Sequence, residues 1–329
     1  MAPAAREHGR MDTQATATTT PTGPVVVGVD DSDRSQDGLK LARVLAAVLG
    51  SELILVNAYP WEPGGRTRPE YEVLVRGNSE RLTEAIRSEL GSAARGVCVA
   101  TFSAARALHD VAVAEGAAAI VLGATRHAVH GCVALGSVAE RLLSGAPCPL
   151  LVAPRGYEMH SAVGVFERVG AAYVPGSEGR RAVRAAGRLA ARGATPVQLI
   201  EVADPRLWAA DVWAGRADPA ELAQAQREVI EGHLEEARES LPAGVTATTT
   251  VLTGDPAEEL RHASSELDLL VCGSRDYGPV SSVLAGGVSK VLMHGAACPV
   301  MVVPRGSVAA PPVAPKASAI AVALASARS

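Results

Sequence analysis

The feature that most constrains this chain is a repeat. The stretch GATRHAVHGCVALGSVAERL at residues 123–142 returns in diverged form 150 positions later. Gly123, Gly136, Pro149, Pro154 and Gly156 are thereby matched by Gly273, Gly286, Pro299, Pro304 and Gly306. Self-similarity held over such a span marks a duplicated structural unit. In each copy an apolar run (AIVLG, LLVCG) stops at a glycine, a loop follows, and a short helix is expected to open at a second glycine. Bare backbone N–H groups at a helix start suit an anion, so the loop has the shape of a phosphate site. At 329 residues the chain has room for two domains, as the repeat requires.

Within each copy the patterning alternates. VVVGVD (residues 25–30) is a β-branched run bounded by Gly23-Pro24 and by DDSDRS, as a parallel strand buried on both faces would be. Ser32 or Ser35 can cap the helix that follows, and Gly50 ends it. Further strands are expected at 52–58, in VCVAT, in AAAIVLG and in LLVAP, with helices ending near Gly91, over 104–115 and over 137–143. The second copy repeats the order, with strands expected at 169–174, 197–203, 245–251, LLVCG and VMVVP. Helices are expected at 177–192, up to Ser240 and after Asp255. Two of its helices open on Asp-Pro-Ala-Glu, at Asp218 and Asp255, where Asp caps, Pro suits the first turn and Glu follows three positions on. The order βαβαβαβαβ predicts an α/β fold of two tandem doubly wound domains, each a five-stranded parallel sheet with helices on both faces. The domains are expected at 23–156 and 161–306, flanked by disordered segments at 1–22 and 307–329. Each copy's last strand is very apolar and would be hazardous as a bare edge, so the two should pair as an intrachain pseudo-dimer. Further dimerisation is left open.

Bulk properties exclude several classes. The balance of 31 basic and 35 acidic residues, without a basic block, argues against a nucleic-acid partner. Residues 1–22 lack the apolar core of a secretory signal, and the apolar part of the tail, 317–327, is far below the ~20 residues of a membrane helix. The five cysteines form no disulfide framework, which fits a soluble cytoplasmic protein. His127, His130 and Cys132 lack a fourth ligand and read as loop residues rather than a metal site. Arg180, Arg184, Arg188 and Arg192 recur every four residues, as on a solvated helix face. Trp61, Trp208 and Trp213 could plug the pseudo-dimer or line a pocket. Neither G-x-S-x-G nor GxxxxGK[ST] is present, so the chain is expected not to be an enzyme. A general base would have to come from Asp30, Asp31 or His127.

VVVGVDDS, LILVNA and GATRHAVHGCVALGSVAERLLSGAPCPLLVAPRG together resemble the universal stress protein family, over residues 24–156 and 162–306. The resemblance implies a Rossmann-like, adenine nucleotide alpha-hydrolase-like sheet in tandem and a stress-response role through an adenine nucleotide or protein partners. Nucleotide-binding members carry G-x2-G-x9-G-[S/T] after the fourth strand and an aspartate closing the first. Here Gly123, Gly136 and Ser137 keep the pattern, and Arg126 replaces the middle glycine. Val29, Asp30, Ser32 and Ala58 fall on the adenine and ribose side, and Val138 falls beside the phosphates. The implied ligand is ATP or AMP in the first copy, with Mg2+ only alongside ATP. In the second copy Gly273 and Gly286 remain, but Asp276 and Gly287 depart from the pattern, and the aspartate position falls at about Ala172. That copy reads as degenerate. The residues also admit plainer roles: Ser137 and Glu140 make a capping box, and Asp30 with Ser32 could simply form a turn. A non-nucleotide scaffold acting through protein partners is therefore the alternative.

Overall fold

The structure, a computed structural model, describes residues 23–61, 69–159, 164–274 and 288–305. The expected disordered segments, and Asp276, Gly286 and Gly287, lie outside the described residues. The first half runs β1 (Val25–Gly28), α1 (Asp33–Leu49), β2 (Leu53–Tyr59), α2 (Pro69–Leu90) and β3 (Ala94–Ala100). It continues with α3 (Ala104–Ala114), β4 (Ala119–Gly123), α4 (Ser137–Leu143) and β5 (Leu150–Ala153). The second half has β6 (Val169–Ala172), α5 (Ser177–Gly193), β7 (Val197–Ala203), α6 (Ala209–Trp213) and α7 (Pro219–Glu239). Then come β8 (Ala247–Thr253), α8 (Pro256–Ala263), β9 (Leu269–Gly273), α9 (Val288–Leu292) and β10 (Val300–Val303).

All these strands join one sheet in the order β3-β2-β1-β4-β5-β10-β9-β6-β7-β8. Within each half every pairing is parallel; β5 and β10 alone run antiparallel, centred on Leu151 opposite Met301. Leu150, Leu151, Val152 and Val300 are wholly buried there, so the apolar closing strands cover one another. The free edges of the sheet are instead β3 and β8, whose side chains are partly exposed.

Alternating side chains of these strands serve two cores, because successive residues point to opposite faces. Val25, Val27, Val121 and Leu151 face α1, α2, α5 and α7, whereas Val26, Ile120, Leu150 and Val152 face α3, α4, α8 and α9. Each core runs across both halves. At roughly 1.5–3 kcal/mol per fully buried Val or Leu, this shared interior ties the halves into one unit.

Local signals explain the helix ends. Asp218 and Asp255 accept from the first backbone N–H groups of α7 and α8, as their motifs predict. Gly50 closes α1 with φ 62°, in the left-handed region. Three expectations need correction. Ser32 is the N-cap of α1, yet its side chain makes no capping bond. The expected capping box of Ser137 with Glu140 does not form, because Gly136 takes the cap position and Ser137 is already in the first turn. The arginine stripe on α5 is exposed, but Arg192 also reaches across to α1, where its guanidinium donates to the Leu49 carbonyl at 2.6 Å. That bond satisfies a carbonyl that α1 itself leaves open.

Candidate functional site

The direction of winding reverses between the carboxyl ends of β1 and β4, the position at which sheets of this kind take their ligands. Val29 follows β1, is buried, and extends the ladder by donating its N–H to the Val56 carbonyl at 2.9 Å. Its own carbonyl accepts from Asn57 Nδ2 at 2.7 Å, and Ser79 Oγ donates to Asn57 Oδ1 at 2.5 Å. Asn57 and Ser79 were not singled out from sequence; a polar residue inside the apolar run LILVNAY was the available signal. Ala58, next along β2, is half-buried against the α3 side.

Asp30 turns the chain out of β1. Its N–H donates to Ser35 Oγ at 3.1 Å, and its Oδ1 accepts from the Ser32 N–H at 3.0 Å and from the Ser32 hydroxyl. Arg34 lies 3.7 Å from the other carboxylate oxygen, an exposed pair of small energetic weight. Asp30 and Ser32 are thus brought together as a turn just beyond the end of β1, with the Asp30 side chain exposed to 58%.

Gly123, at the end of β4, is glycine for a packing reason. A Cβ there would lie 1.9 Å from the Arg34 carbonyl oxygen in the first turn of α1. Gly136 differs: its φ is −100°, and the nearest atom to a Cβ would be Thr125 Cβ at 3.6 Å. The fold alone does not demand glycine there. Ser137 is exposed, and Val138 is half-buried against α3 and its neighbours. Arg126 stands where the motif has its middle glycine, and its backbone avoids positive φ. Its side chain is exposed, with Nε donating to His127 Nε2 at 3.1 Å. Among the described residues no cluster of His, Cys, Asp or Glu could hold a metal.

The loop after Gly123 is anchored on the other half. Val133 N–H donates to the Ala296 carbonyl at 2.8 Å and Leu135 N–H to the Met293 carbonyl at 3.1 Å. Arg155 holds the same loop through the Ala128 carbonyl at 3.0 Å. Asp37, buried in α1, accepts from the N–H groups of Gly156 and Glu158, both at 2.9 Å, and so fixes the exit from β5. Neither anchor was visible in the sequence. Burial pushes the Cys148 and Cys272 thiols up to about 12, as befits packed apolar residues. Trp213 is exposed and Trp208 donates to Gln226 at 2.8 Å; neither lies between the halves, and Trp61 follows β2 near the outer edge of the sheet.

The Universal stress protein family model matches residues 22–154 and again 166–304. This chain belongs to the universal stress protein family. It is 28% identical over 285 residues to a universal stress protein of Mycobacterium tuberculosis, covering 81% of this chain and 93% of that one. A universal stress protein structure from Archaeoglobus fulgidus superposes with a TM-score of 0.60 at 18% identity, covering 87% of this chain and 97% of its own. A second universal stress protein of that organism, solved in complex with dAMP, is 27% identical over 41% of this chain and 99% of its own, with a TM-score of 0.32. Among the described residues no helix is long and apolar enough to cross a membrane.

In this tandem universal stress protein the two halves can be aligned through their ladders. Val25 pairs with Leu53 and Ala119, and Val169 pairs with Val197 and Leu269. Asp30 therefore corresponds to Val174 and not to Ala172, which corrects the sequence alignment by two residues. The second half still lacks the aspartate. In the same register Asn57 corresponds to Glu201, Arg34 to Glu178 and Asp37 to Arg181.

Proposed function

We propose that the first half of this universal stress protein binds an adenine nucleotide, ATP or AMP, in the crevice between β1 and β4. The observation that carries the reading is the convergence of Asp30, Ala58 and Gly123 on the carboxyl ends of β1, β2 and β4 at the winding reversal. In this reading Asp30 and Ser32 take the ribose or base, Val29 and Ala58 flank the purine, and Gly136, Ser137 and Val138 offer backbone N–H groups to phosphate. The room around Gly136 fits such a group, since the nearest atom to a Cβ there would be 3.6 Å away. Arg126 adds a cation at the rim, and Mg2+ enters only with ATP. The role is binding and not turnover, in the cytoplasm, with the two halves acting as an intrachain pseudo-dimer. Because Val133 and Leu135 hang on the second half, occupancy of the loop would be felt there and passed to a protein partner.

Equilibrium dialysis of the full chain with labelled ATP and magnesium tests this. One saturable site, lost in Gly136→Val and weakened about tenfold in Asp30→Ala, is the expected outcome. Absence of saturable binding ends the reading. The alternative is a scaffold without nucleotide, favoured by the internal engagement of the Asp30 carboxylate with Ser32. Identification of small molecules released from the purified protein on denaturation separates the two, since AMP or ATP near one per chain rejects the scaffold.

A further inference from the structure

The free edge of the sheet at β8 is built differently from the one at β3. On β3 the Arg95 guanidinium is held by Glu52 at 3.3 Å and by Glu115 at 2.9 Å, a charge cluster of the kind that guards an edge. β8 reads ATTTVLT, with no charge, no proline and no glycine. Thr248, Thr249 and Thr253 are exposed. A long, uncharged edge rich in β-formers is a template for a further strand.

The ladder fixes which backbone groups of β8 face outward. Val197 N–H donates to the Thr246 carbonyl at 2.9 Å, and Gly254 N–H donates to the Ala203 carbonyl at 3.0 Å. Even-numbered residues here therefore turn their backbone toward β7, and Ala247, Thr249, Val251 and Thr253 turn theirs away from the sheet. Among the described residues no other backbone group bonds to these outward N–H and C=O groups.

The strand complements itself. Antiparallel pairing across a two-fold axis at Thr250 sets Ala247 against Thr253 and Thr249 against Val251, all as hydrogen-bonded pairs. On the opposite face Thr248 meets Leu252, and Thr250 meets its own copy. No charge is set against another along the strands, and β-branched neighbours of this kind are favourable across a ladder. The chain uses the same solution inside itself, where β5 and β10, equivalent strands of the two halves, run antiparallel.

We propose that β8 is the interface between two copies of this chain, which join edge to edge and antiparallel into one continuous sheet centred on Thr250. α7, which packs on β7 and β8, then faces its own copy across the axis. It carries six glutamates against two arginines, so salt tightens the dimer by screening them. The inference does not depend on whether the first half binds a nucleotide.

Sedimentation velocity of the full chain over a concentration series, at low and at high salt, tests this. Expected is a reversible monomer–dimer equilibrium that shifts toward dimer as salt rises. Thr249→Pro removes an outward N–H and leaves the β7 ladder intact, so it should weaken the dimer about tenfold or more with an unchanged circular dichroism spectrum. Thr250→Cys should yield a disulfide-linked dimer on oxidation, beyond any seen in the parent, because facing residues of a non-hydrogen-bonded pair lie about 4.5 Å apart. Thr248→Cys should not. A monomer at every concentration overturns the proposal, whether the edge is bare or covered by residues 306–329. So does a dimer that Thr249→Pro leaves intact, cross-linking through Thr248→Cys in place of Thr250→Cys, or growth into longer assemblies.

Discussion

The two halves share a backbone plan yet differ at the carboxyl ends of their first and second strands. In the first, the turn after β1 carries Asp30, and β2 offers Asn57 tied to Ser79 of α2. In the second, Val174 takes the aspartate's place, and β7 offers Glu201 beside His233 of α7. On the second strand of each half, a neutral hydrogen-bonded pair has thus given way to a titratable pair with a spare oxygen. Asp37, which pins the exit from β5, corresponds to Arg181, whose Nε is buried without a partner. Duplication preserved what packing requires and let the polar groups at the strand ends change. Gly123 and Gly273 were kept because a Cβ at either would strike a carbonyl oxygen of the facing helix, at 1.9 and 2.4 Å.

The strongest test of this contrast sets those glycines against Gly136. Gly123→Ala and Gly273→Ala should each cost about 3 kcal/mol or more, because backbone must move to admit the methyl group. Gly136→Ala should stay within about 1 kcal/mol, the scale of a helix-cap change. Urea denaturation midpoints decide, and equal losses at 123 and 136 would break the distinction between the crowded and the open glycines. Next in size, Asp37→Ala removes the shared acceptor of two part-buried N–H groups and should cost about 2 kcal/mol, whereas Arg181→Met should remain within about 1 kcal/mol. A comparable loss from both would mean that the second half has rebuilt the anchor.

The third test uses pH. Burial raises the Glu201 carboxyl above its ordinary 4.5, with His233 pulling in the opposite direction. The folded chain then keeps a proton that the unfolded chain has released. Stability linked to Glu201 is therefore full below about pH 4.5 and declines as pH rises through the raised value. Glu201→Gln removes that decline, so its advantage over the parent should grow from near zero at about pH 4 to about 1 kcal/mol at about pH 8. Thermal melts across that range would show it, and a pH-independent difference would contradict it. The smallest expected effect concerns caps. Asp218→Ala should cost about 1 kcal/mol through loss of its bonds to the Ala220 and Glu221 N–H groups. Ser32→Ala should cost a few tenths of a kcal/mol at most by the same assay, because its hydroxyl serves Asp30 and caps nothing.

The repeat, the alternating strand and helix order, the Asp218 and Asp255 caps and the short α4 were legible in the residues themselves. Each is a local matter, settled by chain neighbours through hydrogen bonds and side-chain periodicity a few residues apart. Candidate site residues were legible in the same way, as a glycine spacing and an aspartate after a strand.

Tertiary structure alone decided the remainder. It set the register that makes Val174, two places beyond Ala172, the counterpart of Asp30, and it ran β5 against β10 antiparallel. It joined Asn57 to Ser79 and Glu201 to His233, and it hung Val133 and Leu135 on the carbonyls of the other half. Those partners lie tens to more than a hundred residues apart in sequence. No local rule selects them, because a long-range hydrogen bond forms only after burial of the two shared cores has fixed which backbones meet.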